Sequence, residues 1–167
     1  LELLLNQSGI SAESRAVVTP ALERAEQTGL PAAAIQLPDG RIVTGKTSEL
    51  LGASSAALLN ALKALGGIQK DIHLISPIII EPLQKLKTTH LGSVNPRLHT
   101  DEILIALSIC AATNPTAELA LRQLPKLRGC EAHSTVLLSQ VDENIFRRLG
   151  VNLTSEPQYQ TNKLYHK

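Results

Sequence analysis

The sequence predicts a layered α/β domain, with helices on both sides of a mixed sheet in a three-layer α/β/α stack. Three observations carry that expectation. A hairpin signal, Pro38-Asp39-Gly40, separates two extended runs near the start. Short apolar runs then alternate with longer stretches that carry helix starts and stops. Aromatic residues are limited to Phe146, Tyr159 and Tyr165, so the core must be built from Leu, Ile, Val and Ala.

The elements follow in chain order. A helix is expected to begin near Ser11. Thr19-Pro20 then reads as a cap and first turn, opening a helix from Pro20 to Thr28 that Gly29 stops. Ala32 to Leu37 and Arg41 to Thr44 form the hairpin strands. A helix rich in small residues runs from Leu50 to Leu65 and closes at Gly66-Gly67. Ile72 to Ile75 reads as a short buried strand. Ser76-Pro77 starts a helical segment, interrupted by Pro82, that ends near Leu91-Gly92. Helices are expected from Asp101 to Ala112 and from Asn114-Pro115 to a point before Pro125. Ala132 to Leu138 reads as a strand, Val141 to Leu149 as a helix ending at Gly150, and Val151 to Thr154 as a last strand before an extended polar tail.

A chain of 167 residues suits one α/β domain over 1–167, with 1–30 as a leading helical segment. At that size folding buries roughly 70% of the chain's surface. The chain opens Leu1-Glu2-Leu3 and contains no methionine, which predicts a piece of a longer protein. Sixteen basic and 15 acidic residues, interspersed, give no electrostatic reason to expect nucleic acid or an anionic membrane. Apolar stretches break well short of the ~20 residues a membrane helix needs. No signal peptide is visible, so a cytoplasmic domain is expected. Cys110 and Cys130 stand in no disulfide-framework pattern, and Cys130 reads as a buried structural residue.

"PDGRIVTGKTS", residues 38 to 48, matches the phosphate-loop pattern at Gly40, Gly45, Lys46 and Thr47. A working phosphate loop needs a strand before its first glycine and a flexible nest after it. Here that glycine belongs to a turn, and Ile42-Val43 prefer extended backbone, so the match reads as the second hairpin strand. Lys46, Thr47 and Ser48 still lie between a strand end and a helix start. They read either as an anion-holding turn or as an ordinary helix cap beside a solvated lysine.

"NPRLHTDE", residues 95 to 102, is the densest polar cluster. Asn95, Arg97, His99 and Asp101 offer anion binding or acid–base chemistry; alternatively Thr100 caps the helix and Asp101 and Glu102 complement its dipole. No histidine or cysteine pair shows zinc-site spacing, so no metal site is expected. In "GCEAHST", residues 129 to 135, Cys130 and His133 are an odd number apart and point to opposite faces of a strand. His133 is therefore a candidate third contributor to a composite pocket, without Cys130.

At these motifs the chain resembles the domain-of-unknown-function 1846 family, also called uncharacterised protein family 0371. The resemblance runs through "PDGRIVTGKTSELLGASSAALLNALKAL", "NPRLHTDEILIALSI" and "GCEAHSTVLLS" to "EPQYQTNKLYHK". It implies the carboxy-terminal part of a longer bacterial protein, and with it the rest of that chain as a partner. It supplies no catalytic residue, cofactor or reaction to carry over. It also implies a layout similar to the cytidine-deaminase-like fold. Deaminases place His or Cys two before a Glu at the first core helix and Pro-Cys-x-x-Cys at the next. This sequence has Thr47-Ser48-Glu49 and Pro77-Ile78-Ile79-Ile80 there, so the zinc ligands are missing. Two functions are expected: a module binding a small anionic or nucleotide-like ligand through residues 46–48, 95–101 and His133, or a non-catalytic structural or oligomerisation domain.

Overall fold

The computed structural model describes residues 15–157. The helix expected near Ser11 and most of the polar tail lie outside those residues. The hairpin forms as its turn chemistry requires. Strand β1, Ala32–Gln36, pairs antiparallel with β2, Ile42–Lys46. Gly40 supplies the positive φ of 91° that closes the turn, and the Asp39 side chain accepts from the Arg41 amide. Strand β3, Glu131–Ser134, pairs antiparallel with the other side of β1, and β4, Asn152–Ser155, lies parallel to β3. The result is a mixed sheet in the order β2-β1-β3-β4.

Both faces of the sheet are covered. Helix α1, Val18–Thr28, packs on one face through Val17 and Ala21 against Ala34 and Ile42. The alternate residues of β1, Ala33 and Ile35, face the main core with helix α2, Ala53–Leu65. That core also takes Ile103 and Leu107 of α4, Thr100–Ala111, and Phe146 of α6, Gln140–Leu149. Helices α3, Pro77–Lys85, and α5, Pro115–Leu121, complete the set.

Gly45 shows why the phosphate-loop match arose without a phosphate loop. A Cβ on Gly45 would lie 2.1 Å from the Ala57 amide nitrogen, so α2 could not approach the strand. The glycine is there for close helix–sheet packing, and the two residues before it are ordinary strand.

Several expectations are corrected. Thr19 lies inside α1, whose cap position is Val17 and carries no side-chain cap bond. Helix α2 starts three residues later than expected because Leu51 pairs with Leu98 in an isolated parallel bridge. Residues 72–75 are not a strand. Leu74 and Ile75 are buried in the core, but Ile72 and His73 are exposed, and the sheet leaves this run no strand partner. Strand β3 ends at Ser134, where the Ser134 hydroxyl donates to the Val136 carbonyl and turns the chain. Helix α5 does stop before Pro125 as expected: it ends at Leu121, and Pro125 sits in a separate 3-10 turn, Leu124–Leu127. Helix α3 tolerates Pro82 and passes into a π-helical stretch, Leu86–His90.

Candidate functional site

The amino-terminal ends of α2, α4 and α6 converge on one cleft. Ser54 lies in the first turn of α2, His99 is the cap residue of α4, and Ser139 caps α6 by accepting from the Asp142 amide. The Asp142 side chain turns inward and is buried. One of its oxygens accepts from the Thr100 amide at 2.9 Å and from the Thr100 hydroxyl at 2.7 Å; the other accepts from the Ser54 hydroxyl at 3.1 Å. His99 Nδ1 stands 3.6 Å from that second oxygen, too far for a hydrogen bond but close enough for strong attraction. A buried carboxylate is thus held by three formed hydrogen bonds and the positive end of α4.

The loop leading into α4 is fixed from its other side. Arg97 Nε donates to the Ser48 carbonyl at 2.5 Å, and the Asn95 side chain accepts from the Arg97 amide at 3.0 Å. The buried Lys87 ammonium, presented by the π-helical stretch, donates to the Arg97 carbonyl at 2.7 Å and pairs with Glu102 at 2.8 Å. Glu102 also reaches back to the His99 amide, closing half of a capping box. The loop is therefore a braced backbone that presents Asn95, Arg97 and His99 to the cleft.

The eight residues expected to share a pocket divide between two faces of the sheet. Asn95, Arg97 and His99 line the cleft with Ser54 and Asp142. Ser48 is joined to them through its carbonyl, while its hydroxyl accepts from the Leu50 and Leu51 amides. Thr47 is buried and donates to the Pro31 carbonyl. Asp101 accepts from the neighbouring Glu102 amide at the start of α4. Lys46 alternates with Gly45, so its exposed side chain lies on the α1 face, away from α2. His133 pairs across from Ala34 and also lies on the α1 face. Lys46 and His133 are therefore not in this cleft.

Charge and burial act on these groups in different proportions. Burial alone would raise the Asp142 carboxyl, but His99 and the two bonds from Thr100 outweigh it and hold it below its ordinary value. The same carboxylate raises His99 above its ordinary value against the opposing effect of partial burial. His133 is lowered, chiefly by burial, although Glu156 pulls the other way. Cys130 is raised by burial and its thiol faces the Lys126 carbonyl, which suits a structural thiol and not a nucleophile. Cys110 and Cys130 are both free.

The cleft is small. Its water-accessible space is about 30 Å³, room for a water or two, whereas ligand pockets run to roughly 300–1,000 Å³. A larger hollow of about 800 Å³ lies at the free edge of β4 beside Glu143 and Arg147, and none of the eight expected residues lines it. Among the described residues no group of three or more His, Cys, Asp and Glu is placed to hold a metal, and no helix is long and apolar enough to cross a membrane. Sequence reasoning missed Ser54 and Asp142. Asp142 lies three residues after Ser139, a spacing that reads as an ordinary helix cap.

Comparison with known proteins places this arrangement in a family. Residues 13–165 match the family model described as "Domain of unknown function DUF1846, C-terminal". The chain is 59% identical over 165 residues to a UPF0371 protein of Corynebacterium diphtheriae, covering 99% of this chain and 33% of that protein. It is 60% identical to a UPF0371 protein of Corynebacterium efficiens and 54% identical to one of Streptococcus pyogenes, covering 100% of this chain and 34% of each relative. The chain thus spans about a third of the length of the curated relatives it matches.

Proposed function

The chain belongs to the DUF1846 carboxy-terminal family, and we propose that within it the Arg97–His99 loop forms one wall of a site for a small anion, completed by the rest of a longer protein. One observation carries this reading. His99 is raised by the buried Asp142 and sits beside Arg97 at a cleft where three helices begin. A positively biased imidazole, a guanidinium and the ends of helix dipoles favour a phosphate-sized or carboxylate group. The cleft is too small to enclose a nucleotide, so any larger ligand would need walls from elsewhere.

The test is anion binding by a full-length family member, with inorganic phosphate, pyrophosphate and nucleotides titrated calorimetrically. Arg97→Ala and His99→Ala are each expected to weaken binding by roughly 1.5–3 kcal/mol, the range for a hydrogen bond to a charged group. Binding unchanged by both variants would contradict the reading.

A structural role is the second reading, and one observation favours it. The Asp142 carboxylate already occupies the position at the start of α4 that an anion would take. The likeness to the cytidine-deaminase-like fold rests on the opening hairpin, the helix after it and the mixed sheet; at residues 72–75 an irregular, bent segment stands where that layout has a strand. Zinc does not suit the matching positions. Two before Glu49, the Thr47 hydroxyl donates to the Pro31 carbonyl; in the second motif Ile78 offers no donor, which leaves Glu81 as the one carboxylate of the three positions.

A further inference from the structure

Helix α3 turns Ile80 and, in part, Leu83 toward the core, yet it also keeps an apolar ridge outside. Its buried positions, together with the π-helical stretch, are Ile80 and the cation Lys87. Its outward ridge is apolar: Ile78, Pro82 and Leu86 recur at intervals of four and are all exposed. Ile78 is 80% exposed, and Leu91 and Val94, just beyond the helix, are 70% and 97% exposed. Single exposed apolar residues need no explanation, but a run of this kind marks an interaction surface. Lys87, seven residues after Ile80 and so on the same inward stripe, braces the Arg97 loop while Leu86 remains outside.

We infer that the ridge Ile78, Pro82, Leu86, continued by Leu91 and Val94, is the docking surface for the remaining part of the longer chain. Relatives of this chain are about three times its length, so roughly two thirds of such a protein must pack somewhere. Val94 immediately precedes Asn95, which lines the small cleft. A body seated on the ridge would therefore border the Arg97–His99 loop and could supply the missing walls. That last step rests on the proposed anion site; the docking surface itself does not.

The experiment is hydroxyl-radical footprinting of a full-length family member, reading oxidation at Ile78, Leu86, Leu91 and Val94. Leu30, 41% exposed in the connection between α1 and β1, serves as the exposed reference. The four ridge residues are expected to react at least tenfold more slowly than their exposure predicts, at protein concentrations where the molecule is monomeric. Reactivity at or above that of Leu30 would overturn the inference. So would protection that disappears on dilution, since a second copy would then be the occupant. Ile78→Asp with Leu86→Asp, placed at exposed positions, should restore reactivity at Leu91 and Val94 by severalfold and leave the circular dichroism spectrum unchanged. Arg97→Ala should leave the protection intact, which separates failure of the docking surface from failure of the anion site.

Discussion

His99 and His133 each have a carboxylate within reach, Asp142 at 3.6 Å and Glu156 at 2.7 Å, yet the pair with the longer separation has the histidine that gains proton affinity. The two rings lie at opposite faces of one sheet. His133 is 1% exposed, with one ring nitrogen against the Thr154 hydroxyl and the other against Glu156. Its loss of hydration exceeds what Glu156, a third exposed itself, returns. His99 keeps about a third of its surface in water and faces a carboxylate held in place by Thr100 and Ser54. Both rings lose hydration, and the charges beside them, more than the distance to one partner, decide the direction. The buried, fixed Asp142 outweighs that loss at His99, whereas the partly exposed Glu156, opposed by Arg15, does not at His133. His133 is a fixture of the sheet, and His99 is left able to carry charge at a surface.

The largest effect that would break this comparison is removal of Asp142. Asp142→Ala leaves the Thr100 amide and hydroxyl and the Ser54 hydroxyl without their acceptor in a buried setting, and should cost about 3–5 kcal/mol of stability in urea unfolding. A loss below about 1 kcal/mol would mean the carboxylate does not organise the three helix ends. The milder Asp142→Asn keeps an acceptor for Thr100 and should bring the His99 titration down.

Stability against pH sharpens the contrast, because the two histidines act on opposite sides. The folded value of His99 is raised, so its contribution is complete below the ordinary value of 6.5 and is lost as pH rises through the folded value. That of His133 is lowered, so its contribution is complete above 6.5 and is lost as pH falls through its folded value. Asp142, also lowered, contributes above its ordinary value of 3.8 and loses that contribution in more acid solution. Stability should therefore decline on both sides of a maximum near pH 6.5, with His99→Gln flattening only the alkaline limb. A limb that survives its variant would assign the titration elsewhere.

The smallest expected effect is at Glu156. Glu156→Gln retains an acceptor for His133 and removes a partly exposed charge, so it should cost less than about 1 kcal/mol and lower the His133 titration further.

What the sequence made legible divides along the same lines. The hairpin at Pro38-Asp39-Gly40 could be read because its turn is specified by three adjacent residues, and the helix stops at Gly29 and Gly150 for the same local reason. The loop from Asn95 to Asp101 could be found because its polar residues are neighbours in sequence. Asp142 could not, since its partners Thr100 and Ser54 lie 42 and 88 residues away. The run Ile72 to Ile75 shows the converse failure. Its composition suits a strand, but pairing is decided by the sheet, which gives it no neighbour. The faces of Lys46 and His133 were likewise fixed by register with β1, a long-range property that spacing alone does not carry.

Nuclear magnetic resonance titration of the two imidazoles is the most direct test of the account. His99 is expected to titrate above 6.5 and His133 below it, with Asp142→Asn lowering the first and leaving the second in place. Both rings titrating below 6.5, or a His99 value indifferent to Asp142→Asn, would contradict the claim that the buried carboxylate charges the surface of the cleft.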